Sequence, residues 1–253
     1  RLKETAQQEC GEFAMALLVS EVIDPQIEGE RLRQSFIDLL APVEQSEAVD
    51  VTQLLAFFRQ SGFAGRRAEA ADLSHSNLQW VIAQRQGLPI AVASIIIEAG
   101  RRYGLAAHGI NFPGHFLVSL EQQIVDPLSL RTLGLQQLGA KLTAQQQQEI
   151  MQPTQTSVFG LRMLNNVKIQ YAQAQNWFEV LDILECQLMV ETVDQSAQAA
   201  LQFERGECLL QMEQPPRAQQ AYMTCLEMSP PPALALQAEQ RLQQLRQQPK
   251  ILH

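Results

Sequence analysis

Residues Gly87 to Leu128 hold the parts of a thiol hydrolase without the thiol. The segment reads GLPIAVASIIIEAGRRYGLAAHGINFPGHFLVSLEQQIVDPL, with His115 opening one apolar run and Asp126 closing the next. A Cys-His-Asp site needs its thiol at a helix N-terminus, where the helix dipole and an adjacent imidazole favour the thiolate. The imidazole must reach the sulfur, and a carboxylate must hold the ring from its other nitrogen. Pro89 occupies the thiol's position at the helix start. Proline offers neither a side-chain nucleophile nor a backbone N–H. His115 and Asp126 therefore read as vestigial, and no catalysis by this constellation is expected.

The elements that must position these residues follow from punctuation and period. Proline is well tolerated at the first helical position, so Gly87-Leu88-Pro89 starts a helix running from about Ile90 to Arg102. Its apolar residues (Ile90, Val92, Ala93, Ile95, Ile96, Ile97, Ala99) fall on most faces, which predicts a central, buried helix ended by Gly104. Leu105–Phe112, His115–Leu120 and Gln123–Asp126 are short, bounded by turn residues, and read as strands. Glu121-Gln122 would be a tight turn between the last two. A helix followed by an antiparallel meander suggests an α+β domain. Upstream, apolar stripes predict helices over Phe13–Val22, Glu30–Leu40, from Asp50-Val51-Thr52 to Ser61-Gly62, and over Leu78–Arg85 after Ser76-Asn77.

Each polar residue of the segment has a structural as well as a functional reading. His115, between Pro113-Gly114 and Phe116-Leu117, suits a structural histidine bonded to Asp126 or backbone, or half of a retained ligand-binding pair. Asp126 before Pro127 can begin a turn or contact His115. Asn77 and Asn111 are cap or turn residues, or binding candidates. His108 alternates with apolar neighbours and is expected to face solvent. Ser94 lies five residues beyond Pro89, about 140° around the helix, and cannot replace the thiol easily. A metal site is not expected, because His115 and Asp126 lack a third ligand nearby. Of the four cysteines (Cys10, Cys186, Cys208, Cys225), only Cys10 lies outside the C-terminal helices, and nothing in sequence brings it near His115. A hydrolase or acyltransferase with a relocated nucleophile, Cys10 included, stays open as the alternative.

From about Val158 the chain reads as helix to Leu245, broken near Asn176, Thr192–Gln195, Gln214–Pro216 and Pro230–Pro232. A shift of 38 residues lays Val180-Leu181 on Ala218-Gln219, Leu184 on Tyr222, Leu188 on Leu226 and Tyr171 on Leu209. Helix–turn–helix units near this period are the tetratricopeptide (TPR) pattern, and an ordinary helical bundle is the competing reading. Residues 1–150 and 151–253 are the expected domains.

The net charge of −8 argues against non-specific nucleic-acid binding, which rests on neutralising phosphates. Arg66-Arg67 and Arg101-Arg102, the only basic doublets, are explained by solvated helix faces. The run Gln145–Gln148 reads as a solvated helix or loop. No apolar run approaches the ~20 residues of a membrane span. Arg1–Cys10 shows no secretory apolar region, and the cysteines show no CxxC or metal-ligand spacing. Reduced thiols, a cytoplasmic location and no membrane partner are expected.

These residues resemble the core of the transglutaminase-like superfamily, which runs G-x-C-x-x-x-A, then R-x-x-G, then strands carrying His and Asp-Pro. Gly87, Ala93, Arg101 and Gly104 fall on that pattern without gaps, followed by His115 and Asp126-Pro127, with the Cys falling on Pro89. The segments SNLQWVIAQRQGLPIAVASII, INFPGHFLV, IVDPL, RMLNNVKIQYAQAQNWFEVLDILE and FERGECLL, with SGFAG at Ser61–Gly65, further resemble the SirB family of bacterial proteins. That resemblance implies a transglutaminase-like (papain-like) α+β domain followed by TPR-like helices, and a bacterial regulatory role. It generally lacks the nucleophilic Cys. This chain departs from it at Ala91, where relatives often carry a hydroxyl residue. The expected function is that of a non-catalytic regulatory or scaffold protein, binding another protein or peptide through its TPR-like helices and degenerate transglutaminase-like cleft, with no cofactor.

Overall fold

The computed structural model describes residues 11–43, 49–138, 151–190 and 194–247. Cys10, Gln145–Gln148 and Thr192-Val193 lie outside the described residues. The chain divides into two compact units, Arg1–Met163 and Leu164–His253.

Among the described residues, the first unit is built on the helices α1 (Glu12–Ile23), α2 (Gly29–Leu40), α3 (Val51–Gln60), α4 (Leu78–Gln84) and α5 (Pro89–Arg102). Local sequence sets the starts of α3 and α4. Asp50 and Gln53 form a reciprocal capping box on α3, with side-chain to backbone bonds of 2.7 and 2.9 Å. Asn77 caps α4 by accepting from the Gln79 and Trp80 amides. The expected greasy helix is α5, and its residues from Ile90 to Ile97 are all buried.

Against α5 lies an antiparallel meander of β3 (Ala107–Phe112), β4 (His115–Leu120), β5 (Gln123–Asp126) and β6 (Arg131–Leu133), in the order β3-β4-β5-β6. The fold is therefore α+β, as expected. Both tight turns have a physical basis. Gly114 supplies φ +77° between β3 and β4. Glu121 and Gln122 are both left-handed, the geometry that matches strand twist in a two-residue hairpin. Glu121 secures its own turn, accepting from the Ala106 amide at 2.6 Å.

The structure adds elements that the sequence pattern does not announce. β1 (Ala64–Gly65) pairs in parallel with β2 (Gln86–Gly87). β6 extends the meander, and a 3-10 turn spans Leu73–Ser76. The first strand of the meander starts at Ala107, not Leu105, because Leu105 donates back to Gly100 in the turn closing α5.

The second unit contains most of α6 (Thr156–Gln173), then α7 (Trp177–Met189), α8 (Gln195–Gln211), α9 (Pro215–Glu227) and α10 (Pro232–Gln247). The 38-residue shift holds in the backbone. It carries the bounds of α7 onto those of α9 and the last residue of α6 onto that of α8. It carries left-handed Gln175 onto left-handed Glu213, both at φ +56°. It also carries the Asn176 to Tyr171 backbone bond onto the Gln214 to Leu209 bond, each 2.9 Å. Two like helical hairpins thus follow one another. Their shared core holds Leu184, Leu209, Ala221, Tyr222 and Cys225, with Ala238 and Leu242 of α10.

Candidate functional site

Three backbone segments meet at the start of α5. The Gly65 amide donates to Leu128 O, and the Arg66 amide donates to Gly87 O. Leu88, the N-cap, donates to His75 O at 2.8 Å. Pro89 sits at the first position of the helix, and no side chain caps it. The loop after β5 and the β2 strand therefore flank β1 on its two edges. Gly65 is obligatory for this approach, since a Cβ there would stand 2.5 Å from Leu128 Cα and 2.8 Å from Pro127 O. Gly65→Ala is expected to cost about 1–2 kcal/mol in urea unfolding, because both obstacles are backbone but the two-residue strand can shift as a unit.

Asp126 spends its carboxylate on its own turn. One oxygen accepts from the Leu128 amide at 2.9 Å and the other from Ser129 Oγ at 2.7 Å. This is an Asx-type turn, the geometry that an Asp-Pro step favours. His115 is exposed, and among the described residues no hydrogen bond or ion pair joins it to Asp126. Its nearest ring is Phe112, its partner across the hairpin, with centroids 6.4 Å apart.

Strand register sets the faces. His115 pairs with Phe112 and lies two residues from Leu117, so it belongs to the sheet face carrying the Ile110, Phe112, Leu117 and Ile124 cluster. Phe116 and Leu120 belong to the opposite face. That is the face α5 covers, where a Cβ on Gly100 would be 2.9 Å from Leu120 Cδ2. By alternation, His115 and the helix carrying Pro89 are assigned to different sides of the sheet.

The remaining candidates have identifiable partners. Asn77 Oδ1 is occupied as the α4 cap. Asn111 Oδ1 accepts from Arg162 at 2.5 Å, and Arg162 also reaches Phe112 O and lies over the Phe116 ring. Burial holds the Arg162 guanidinium below its ordinary pKa. Ser94 Oγ donates to Ala91 O at 2.7 Å and is fully buried. The expectation that His108 faces solvent is corrected. It is half-buried, and its Nε2 lies 3.1 Å from Met151 O, because the chain beyond the sheet returns over β3. Among the described residues no group of three or more His, Cys, Asp or Glu could hold a metal ion.

Sequence reasoning missed His75, which is buried beside the start of α5. Its Nδ1 lies 2.8 Å from Asp72 Oδ1 and 3.1 Å from the Asp72 amide, and its ring packs tilted against Trp80, with centroids 4.6 Å apart. The Ser74 hydroxyl bond, then His75, hold the Asp72 carboxyl below its usual pKa. The available signal was the reciprocal cap across Asp72–His75, which reads as a turn rather than as a site.

The chain matches the transglutaminase-like superfamily over residues 18–165. It is 28% identical over 186 residues to a UPF0162 protein of Xylella fastidiosa, covering 65% of this chain and 66% of that relative. It is 26% identical over 125 residues to a UPF0162 protein of Vibrio cholerae, covering 46% of this chain and 45% of that one. A UPF0162 protein of Pseudomonas aeruginosa is 38% identical over 58 residues, 22% of either chain. The alignments thus span two thirds or less of these relatives' lengths. No solved structure matches. The superfamily match takes in α5, the meander and the His115–Asp126 segment, and the chain belongs to the transglutaminase-like superfamily.

Proposed function

We propose that this chain is a non-catalytic member of its superfamily that binds another protein or a peptide, acting as a regulator or scaffold. The sequence motifs favour the SirB branch and a TPR-like reading of the second unit. The observation carrying the proposal is an apolar pocket of about 250 Å³ between α6, α7 and α8. Ile169, Ala172, Trp177, Val180 and Leu184 line it, and the Lys168–Glu204 ion pair lies at its edge. Grooves preformed by repeated helical hairpins suit extended or helical peptides. The test is cross-linking of the full chain in native lysate, with the cross-linked residues mapped. Reproducible cross-links on α6–α8 that Trp177→Ala weakens would support the proposal; a map with none there would sink it.

The non-catalytic half of the proposal has its own support. Pro89 at the helix start, the Asp126 turn and the face of His115 all work against a triad. The described thiols are tuned the wrong way for nucleophiles. Burial pushes Cys208 up to about 11 and raises Cys186 and Cys225, Cys186 also through Asp182 and Glu185. At pH 7 all three remain protonated, and only the thiolate attacks. Pro89→Cys is therefore expected to give a thiol that iodoacetamide alkylates no faster than a free cysteine, with no change on adding His115→Ala. Alkylation more than about tenfold faster, and dependent on His115, would restore the hydrolase reading.

A further inference from the structure

The outward side of α7 has a composition unlike a solvated helix face. Val180, Leu181, Ile183 and Leu184 turn into the unit, while Phe178 is 72% exposed and Met189 is 52% exposed. Phe178, Asp182, Glu185 and Met189 are spaced i, i+4, i+7, i+11, which stacks them in one row about 16 Å long. The row is apolar at both ends and acidic in the middle, and exposed Glu179 adds a third carboxylate beside Phe178. The helix itself, WFEVLDILECQLM, carries no Lys or Arg. Among the described residues, the cation bound to the row is Arg205 of α8, which donates to Glu185 at 2.7 Å. Burial first, and then the Asp182 and Glu185 charges, raise the neighbouring Cys186 thiol.

We infer that this row docks a cationic amphipathic helix of another protein, one with two apolar anchors about three turns apart and Lys or Arg between them. The inference rests on the protein-binding reading above and names the partner's chemistry. The charge pattern chooses the occupant. An acidic or neutral helix would leave Glu179 and Asp182 facing like charge or losing water without compensation. A helix also suits the row, because an i, i+4 ridge packs into the groove of a second helix. The groove between α6, α7 and α8 is lined by the other side of α7, so the two surfaces are separable by mutation.

The experiment titrates the full chain with a labelled 18-residue helical peptide, leucine at two positions eleven apart and lysine and alanine elsewhere, followed by fluorescence anisotropy. The control peptide carries glutamate for each lysine. The lysine peptide is expected to bind, more weakly as salt rises, and the glutamate peptide is not. Phe178→Ser with Met189→Ser is expected to weaken binding about tenfold, and Asp182→Lys by a similar factor. Glu227→Lys on α9, which changes the net charge as much as Asp182→Lys does, should leave it unchanged. All these side chains are exposed, and circular dichroism checks that each variant folds. Equal weakening by Glu227→Lys, insensitivity to the Phe178/Met189 change, or no binding by the lysine peptide would each overturn the inference. If cross-links in lysate still map to α6–α8 in that event, the protein-binding reading survives and only the α7 docking face fails.

Discussion

Glu12→Ala is expected to cost about 3 kcal/mol of folding stability, read as a lower urea midpoint at unchanged slope. Glu12 is 3% exposed at the start of α1, and its carboxylate serves two distant elements. One oxygen accepts from the Gly109 amide of β3 at 3.1 Å, and the other lies 2.7 Å from Arg101 at the end of α5. Arg101 in turn donates from Nε to Ala107 O at 2.9 Å. Alanine would leave the buried Gly109 amide without its acceptor and open space beneath it. The guanidinium is 39% exposed, so water screens the Coulomb share of the pair, and the orphaned amide dominates the loss.

Two companions separate these contributions. Glu12→Gln keeps an acceptor for Gly109 and loses only the charge, so about 1 kcal/mol is expected. Arg101→Ala keeps the acceptor for Gly109 and loses a pair that water already screens, so it should cost less than Glu12→Ala, about 1–2 kcal/mol. In the Arg101→Ala background Glu12→Gln should then become neutral or stabilising, because it removes the unpaired charge. Strict additivity of the two changes would show that the carboxylate and guanidinium are not coupled.

Arg101 also marks the limit of what the sequence told. It was legible as a member of the R-x-x-G step after the buried helix, and its spacing from Gly87 and Ala93 identified the superfamily core. Its purpose was not legible, because Glu12 lies 89 residues upstream and nothing local ties them. The same division runs through the chain. Helix α5 and strands β3 to β5 announced themselves by period and punctuation, since half-buried strands and greasy helices are defined by composition alone. The two-residue β1 and β2 carry no period, and β1 sits where Gly65 lets the Leu128 backbone approach its other edge. Pro89 could be placed from sequence because a helix start is a local event. The relation of His115 to Asp126 could not, because the choice between a cross-strand contact and an Asx turn is decided by which donors reach the carboxylate. Leu128 and Ser129 are nearer along the chain and close the turn first.

Gly206→Ala should cost about 3 kcal/mol, against the usual gain of up to 1 kcal/mol when a helical glycine becomes alanine. A Cβ on Gly206 would stand 2.4 Å from Tyr222 Cε1 and 2.7 Å from both Cδ1 and Cζ. The ring cannot retreat. Tyr222 is fully buried, tilted against Phe203, and its hydroxyl donates to Glu207 at 2.5 Å. Arg241 of α10 holds the same carboxylate through Nε and a terminal nitrogen, each at 2.7 Å. Burial and the Glu207 bond raise the Tyr222 phenol so far that it stays protonated and donating. The small residue in α8 thus lets α9 come close enough for the phenol to reach Glu207, and Glu207 ties α10 to the pair. Tyr222→Phe should lose about 1 kcal/mol by deleting one hydrogen bond, and should leave the Gly206→Ala penalty intact because the ring remains. In a Tyr222→Leu background, where the ring is gone, Gly206→Ala should cost under about 1 kcal/mol. A full penalty in that background would mean that the glycine serves the α8 backbone rather than the approach of α9.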